Sequence, residues 1–445
     1  MESYLEKNWK KYFKDLKNLI KIPSFIVEGE DYPNVHHIET LKYMEKLAKA
    51  NGMKVFTNPE GYYGYIEIGK GKEMIGVIGH LDVVAPGELE LWNTDPFELI
   101  EDGDKLIGRG TNDDKGPLLL SFYLMKELLE KKTPLNKRIR LIYATDEESF
   151  WRGITKYIEN GEEQPTMGWT PDASFPPIYG EKTIFQFKFS VKEKLDFELN
   201  GGTGLNTVSP KATYKGEKVA KVEKEMKKLG FKYELNKDGS LSAIGVPIHA
   251  SKAAIYGTNA NARLIKAVSM VEDSKLLNFV TKYIGTETTG DTLFNARHED
   301  ETGAITCNIG LVKTTPEGIT IFIDTRVPLF VINWKDIEKV IIQKCKKEDI
   351  IYEQHHILNK VYVNKNDPFI QTLLQAYKDI SHDKKATPKI IGGRTYARAM
   401  KNIVAFGPNF KDSPKTAHQA NEYSLKSHLI KAYSIYIHAF KMLLK

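Results

Sequence analysis

Five short segments of the 445-residue sequence carry histidines and carboxylates at spacings suited to a metal centre. They are Gly79-His80-Leu81-Asp82, Gly108-Arg109-Gly110-Thr111-Asn112-Asp113-Asp114-Lys115-Gly116, Thr145-Asp146-Glu147-Glu148-Ser149, Pro171-Asp172-Ala173 and Thr416-Ala417-His418-Gln419. Together they offer two imidazoles and several carboxylates, the nitrogen and oxygen donors that zinc, manganese and cobalt accept. In His80-Leu81-Asp82 the i, i+2 spacing puts both side chains on one side of an extended segment. An aspartate there can hold the second imidazole nitrogen and fix the tautomer that binds metal. In Glu147-Glu148 one carboxylate can ligate while its neighbour faces a water.

Each segment alone has a plainer reading. A single His-x-Asp is more often a surface accident, and Glu147-Glu148 could be an acidic first turn favoured by the helix dipole. Asp113-Asp114-Lys115-Gly116 could be a turn before a helix, and His418 a satisfied surface histidine. Co-occurrence is what favours chemistry. The first four segments sit at ends of predicted strands, where open α/β sheets place their ligands.

The elements that would position these residues follow from hydrophobic pattern. An amphipathic helix opens the chain and runs to about Lys21. Ile75–Gly79 and Arg138–Thr145 are short apolar, β-branched runs, as expected of buried parallel strands. Pro117 opens the apolar helix PLLLSFYLMKELLEKK at a position where proline loses no hydrogen bond. After Lys182 the character changes. Thr183–Val191, Ala304–Lys313 and Gly318–Thr325 alternate apolar and polar residues, the mark of antiparallel strands with one solvated face. Near Asp367 the first pattern returns, with a strand at Ile403–Gly407 and a long C-terminal helix. The predicted fold is α/β: a catalytic domain with a mainly parallel central sheet flanked by helices, formed by 1–182 and 364–445. An α+β lid domain, 183–363, is inserted into it.

A net charge of +6 is mild, and basic and acidic residues are interspersed. No basic block or aromatic stacking motif points to nucleic acid. The opening segment lacks the apolar core of a signal peptide, and no run is apolar for long enough to span a bilayer. Cys307 and Cys345 lack a C-x-x-C setting, which fits a reducing compartment. These features predict a cytoplasmic protein without nucleic-acid or membrane partners.

The set GHLDVV, GRGTNDDKGP, ATDEES, TPDASFPPIYGEK and AHQANEY resembles the co-catalytic dinuclear metallopeptidases. That family includes carnosinases, glutamate carboxypeptidase and succinyl-diaminopimelate desuccinylase. Within it, GRGTNDDKGPLL, PDASFPPIYGEK and GGRTYARAM are similar to the peptidase V-like dipeptidases. The resemblance implies two divalent ions per chain, zinc first, with manganese or cobalt compatible. His80 and Asp172 would hold one ion, Glu148 and His418 the other, and Asp113 would bridge them. Asp82 would orient His80, Glu147 would be the general base, and a cis peptide would follow Asp113. In the lid, His249 would reach the scissile carbonyl and Asn206 would lie near the substrate. Arg326 would hold the substrate carboxylate, helped by the backbone N–H groups of Gly392 and Gly393. The run Ser251-Lys252-Ala253-Ala254 after His249 departs from the family's usual Ser-x-Pro-Glu. Arg394 stands where a small residue is usual.

The implied activity is hydrolysis of short peptides by an active monomer. Three alternatives share these residues: an N-acyl amino acid deacylase or desuccinylase, a carboxypeptidase, and a non-catalytic peptide-binding protein.

Overall fold

The structure, a computed structural model, describes every residue except 1, 28, 30, 253–256 and 445. The Ala253-Ala254 pair in the run after His249 lies outside the described residues. The chain divides into two compact units. The first comprises Met1–Gly180, Val363–Lys389 and Arg394–Lys445; the second comprises Glu181–Tyr362 with Ile390–Gly393. Sequence pattern alone assigns 390–393 to the catalytic domain. Hydrogen bonds explain the difference: the Lys182 N–H donates to the Ile391 carbonyl, and the Arg326 guanidinium to the Gly392 carbonyl.

In the first unit, strands β1 (Lys54–Thr57), β2 (Tyr63–Ile68), β3 (Met74–His80), β4 (Arg138–Ala144), β5 (Met167–Thr170) and β6 (Ile178–Glu181) precede the excursion into the second unit. That excursion carries β7 (Thr183–Val191), β8 (Glu198–Gly201), β9 (Lys211–Lys215), β10 (Tyr233–Leu235), β11 (Leu241–Ile244), β12 (Thr306–Thr315), β13 (Gly318–Val327) and β14 (Ile351–Leu358). The chain then returns with β15 (Ile403–Ala405).

The first sheet takes these strands in the order β1-β2-β4-β3-β5-β15-β6. Its centre is parallel: β3 pairs with β4 and β5, and β15 with β5. The outer pairings of β1, β2 and β6 are antiparallel. Strand β3 is buried along its whole length, because helices cover both faces. One face carries α1 (Lys115–Glu130), whose Leu118, Leu119, Leu120 and Phe122 are buried, and α2 (Lys426–Leu443). The other buries Tyr63, Ile78, Ile142, Ile154, Tyr157, Tyr396 and Ile403. Helix α1 begins two residues before Pro117, with Asp114 at its N-cap. The opening helix is broken at Asn8 into Tyr4–Lys7 and Trp9–Ile20.

The second unit's sheet is antiparallel, in the order β10-β11-β9-β8-β12-β13-β7-β14. Phe185, Phe187 and Phe189 alternate along β7 into a core shared with Leu264, Val268, Leu277, Ile337 and Ile341 from helices. No helix among the described residues is long and apolar enough to cross a membrane.

Candidate metal centre

Strand β3 ends at His80, which is fully buried. A Cβ on Gly79 would lie 2.4 Å from Asp114 Oδ2, so only glycine lets the start of α1 approach this strand end. Asp114 Oδ2 in turn accepts the His80 backbone N–H at 3.2 Å. His80 Nδ1 lies 3.0 Å from the Asp82 carbonyl. A carbonyl can only accept, so Nδ1 carries a proton and Nε2 is the ligating nitrogen. The His-x-Asp spacing points instead to the Asp82 carboxylate for that task. In the structure its Oδ1 is farther, at 3.5 Å, and its Oδ2 accepts the Glu148 N–H at 3.1 Å. Asp82 thus ties together the two segments that bear His80 and Glu148.

Asp113 lies between the two histidines. Its Oδ1 is 2.9 Å from His80 Nε2 and its Oδ2 is 3.0 Å from His418 Nε2. His418 Nε2 is also 3.0 Å from Glu148 Oε1, and His80 Nε2 is 3.8 Å from Asp172 Oδ2. The Asp113–Asp114 peptide is cis. Glu147 joins His80 and Asp172 in a group whose donor atoms lie within 4.8 Å of one another; His80, Asp113 and Glu148 form a second such group.

Two donors that are each about 2.0–2.2 Å from one ion sit about 3–3.5 Å from each other. The three separations made by Asp113 and His418 lie close to that spacing, and the His80–Asp172 separation is slightly longer. Charge argues the same way. Burial pushes the Asp172 and Glu147 carboxyls well above the usual carboxylate range, and the Asp113 charge adds to this. Burial and then Asp113 also raise Glu148. Burial works against ionised Asp113, yet the His418 and His80 imidazoles hold it far below its ordinary value. Burial likewise opposes a charged His418, but Asp113 and Glu148 push it up to about 11. Glu147 Oε1 is buried without a hydrogen-bond donor among the described residues. Five carboxylates (Asp82, Asp113, Glu147, Glu148, Asp172) face two imidazoles, a deficit that two divalent cations would nearly cancel. The donor set fits divalent metal.

The second unit gathers the other residues singled out in the sequence. His249 and Asn206 are exposed, and the Ala250 N–H donates to the Asn206 carbonyl at 2.7 Å. His249 Nδ1 is 2.7 Å from Ser251 Oγ. A Cβ on Gly392 would meet the Ser251 side chain at 2.6 Å. Arg326, on β13, is 2% exposed and forks onto Asp324 at 2.7 and 2.9 Å, while its Nη1 donates to the Gly392 carbonyl at 2.7 Å. Gly392 thus presents its carbonyl to Arg326, a bond that does not involve the backbone N–H the resemblance turns to substrate.

The model of "Peptidase family M20/M25/M40" matches residues 76–442. The chain belongs to this family. A relative named "Putative dipeptidase SH1171", from Staphylococcus haemolyticus, is 33% identical over 429 residues, covering 90% of this chain and 89% of the relative. "Putative dipeptidase SAUSA300_1697", from Staphylococcus aureus, is 34% identical over 458 residues, covering 96% and 95%. Human carnosine dipeptidase 1 shares the fold, with a TM-score of 0.60 at 15% identity over 99% of this chain and 97% of that one.

In this member of the family, several residues outside the predicted ligands, base and substrate contacts support the centre. Glu422 is fully buried and accepts the backbone N–H groups of Gly110, Asn112 and Asp113 at 3.0–3.3 Å, plus Arg109 Nη1 at 2.7 Å. It fixes the loop that carries Asp113. Burial, with the Asp113 charge adding to it, raises Glu422 to about 7. Lys115 Nζ donates to the Leu19 and Ile22 carbonyls, tying the start of α1 to the N-terminal segment. Arg394 Nη2 donates to the Glu147 carbonyl at 3.1 Å and lies over the Trp151 ring. Asp146, beside Glu147, has a φ of 89°. Its carboxylate accepts the Phe150 and Arg152 N–H groups, which holds this uncommon backbone in place. The Glu-Tyr of AHQANEY and the Arg of GRGTNDD are the available signals, since a charged residue amid glycines and ligands has a reason to be there.

Proposed function

We propose that the protein is a metal-dependent dipeptidase holding two divalent ions through His80, Asp113, Glu148, Asp172 and His418. One observation carries the reading: the two oxygens of Asp113 lie 2.9 and 3.0 Å from two separate imidazoles, as a bridging carboxylate requires. The dipeptidase names of the two staphylococcal relatives support the substrate class. Zinc is the ion that suits the donors first, with manganese or cobalt able to replace it.

When bound, the ions would acidify a water and polarise the scissile carbonyl. Glu147, buried and with Oε1 lacking a donor among the described residues, would take a proton from a water in the site and pass it to the leaving amine. His80 is held in its ligating tautomer by the Asp82 carbonyl. His249, Asn206, Gly392 and Gly393 would be the second unit's contacts to substrate, with His249 donating to the developing oxyanion. Among the described residues Arg326 has one N–H left on each Nη after its bonds to Asp324 and Gly392, enough to take a terminal carboxylate. A site that reads a terminal carboxylate close to the scissile bond favours dipeptides over long chains. The free, buried Cys307 and Cys345 suit a reducing cytoplasm. A chain that carries its own lid should be active as a monomer, which constant specific activity across a dilution series would test.

The deciding experiment strips the protein with a chelator and reloads it with zinc, manganese or cobalt. Bound metal is then counted, and free-amine dipeptides, N-acyl amino acids and tripeptides are compared as substrates. The expected result is two ions per chain and preferential cleavage of dipeptides. Preference for N-acyl amino acids would assign a deacylase, and preference for tripeptides a longer-chain exopeptidase. Absence of turnover in the loaded protein would leave a binding protein.

A further inference from the structure

The second unit contains a cavity of about 210 Å³ that none of the residues assigned above lines. It is lined by Val208, Phe231, Ala262 and Ile309 on its apolar side and by Thr258, Asn259, Thr286, Thr288 and Asn308 on its polar side, and opens to solvent at the exposed Thr286 and Glu287. Two charged residues also line it, Arg263 and Glu287. The Arg263 guanidinium lies 5.0 Å from the Phe231 ring centre and makes no hydrogen bond or ion pair among the described residues. Burial alone acts on its charge, and no carboxylate compensates it. An uncompensated, partly desolvated guanidinium is costly, and a carboxylate held in its fork would offset that cost. Glu287 is positioned differently. Thr292 donates to both of its oxygens, at 3.0 and 2.6 Å. Those bonds fix the carboxylate and leave further lone pairs free to accept.

A cation and an anion that do not pair with each other across one small cavity match a zwitterion. The volume falls below the roughly 300–1,000 Å³ of pockets for drug-sized ligands. That limits the occupant to about one residue. The apolar lining suits an aliphatic side chain. We infer that this cavity binds a single free α-amino acid, its carboxylate on Arg263, its ammonium on Glu287 and its side chain against Val208, Phe231, Ala262 and Ile309. The binding inference stands on the cavity alone. The source of the ligand, the amino acids released by hydrolysis, rests on the dipeptidase reading.

The cavity is built on the segments that carry Asn206 and His249. The Val208 N–H donates to the Ile248 carbonyl, and Asn308 Nδ2 donates to the Leu205 and Thr207 carbonyls. An occupant would therefore bear on the loops proposed to contact substrate, and product could report back on turnover without competing for the metal centre.

Calorimetric titration of the metal-loaded protein with L-valine, N-acetyl-L-valine and L-valinamide tests this without needing turnover. Arg263→Gln should weaken L-valine at least tenfold and leave L-valinamide, which lacks the carboxylate, unchanged. Glu287→Gln should weaken L-valine and leave N-acetyl-L-valine, which lacks the ammonium, unchanged. Arg263→Lys, which keeps the charge, should recover part of the affinity, and circular dichroism should show all three variants folded. If both glutamine variants bind L-valine as tightly as the wild type, or if the wild type binds none at millimolar concentration, the inference is overturned. Failure of dipeptide hydrolysis with these binding differences intact would instead count against the proposed function and leave the cavity's assignment standing.

Discussion

Arg109 and Glu422 are 313 residues apart and form an ion pair of 2.7 Å in which each side chain is only 1% exposed. The same Glu422 carboxylate accepts the Asp113 backbone N–H, so the pair anchors the residue proposed to bridge the two ions. Removing one member of a buried pair leaves the other charge uncompensated, at a cost of about 3–5 kcal/mol. Glu422→Ala should therefore lower thermal stability by several degrees and weaken metal binding together. Calorimetric melting and metal counts on the purified variant check both. A variant that melts as the wild type does and retains its ions would refute the anchoring role.

Glu147→Gln should reduce kcat by about 10²–10⁴-fold, the usual contribution of a positioned base. Glutamine keeps the shape, and Glu147 lies outside the proposed ligand set, so the bound metal should be unchanged. Full activity in this variant would assign the base to another group.

Metal removal should destabilise as well as inactivate. Without cations the cluster keeps Asp172, Glu147 and Glu148 at raised pKa values, so part of their charge is suppressed rather than used. Ions bound only by the folded state stabilise it by about 2.7 kcal/mol at a hundredfold excess over Kd. Melting curves with chelator and with zinc should differ accordingly, and Asp113→Asn should shrink the difference. Identical curves for apo and loaded protein would exclude a folded-state site.

Legibility in the sequence followed the mechanism by which each feature is made. The side chains gathered around Asp113 were readable because β-branched runs such as IGVIG set strand ends, and unusual polar residues stood at those ends. The parallel centre and the Phe185-Phe187-Phe189 alternation were readable for the same reason, as side-chain period reflects burial. Glu422 and Arg109 were not, because a polar residue in a loop looks solvated until tertiary structure buries it. The Asp82 carbonyl's role was hidden because sequence gives side-chain type but not backbone direction. Residues 390–393 belong to the second unit through hydrogen bonds to the Ile391 and Gly392 carbonyls that no local pattern encodes.

His37 should make stability depend on acid pH. Burial lowers its pKa to about 4, against an ordinary value near 6.5. Its Nδ1 accepts the Asn34 N–H at 3.2 Å as part of a helix cap, which only the unprotonated nitrogen can do. The folded state thus favours the neutral ring. Below about pH 6.5 the unfolded chain binds a proton that the folded chain refuses, so stability falls as pH drops towards 4. The full window amounts to about 3 kcal/mol. Denaturant unfolding of wild type and His37→Gln across pH 4–7 checks this, because glutamine cannot titrate. The wild type's advantage should shrink with acid; a constant difference would show that His37 is not the titrating group.

Arg326 should separate dipeptide acids from dipeptide amides. Its guanidinium is buried, oriented by Asp324 and Gly392, and among the described residues keeps one free N–H on each Nη. Alanine would strand the buried Asp324 charge and confound recognition with folding, so lysine is the better variant: it keeps a positive charge beside Asp324 but has no planar fork. Removing a charge-assisted hydrogen-bonded pair from a desolvated site costs on the order of 2–5 kcal/mol. The same pair positions the scissile bond, so kcat should fall together with affinity. Arg326→Lys should therefore lower kcat/KM for a dipeptide acid by at least tenfold more than for the matching amide, which has no carboxylate for the fork to hold. Equal losses on the two substrates would mean that Arg326 serves the second unit's structure through Asp324 and Gly392, and that another group reads the substrate's end.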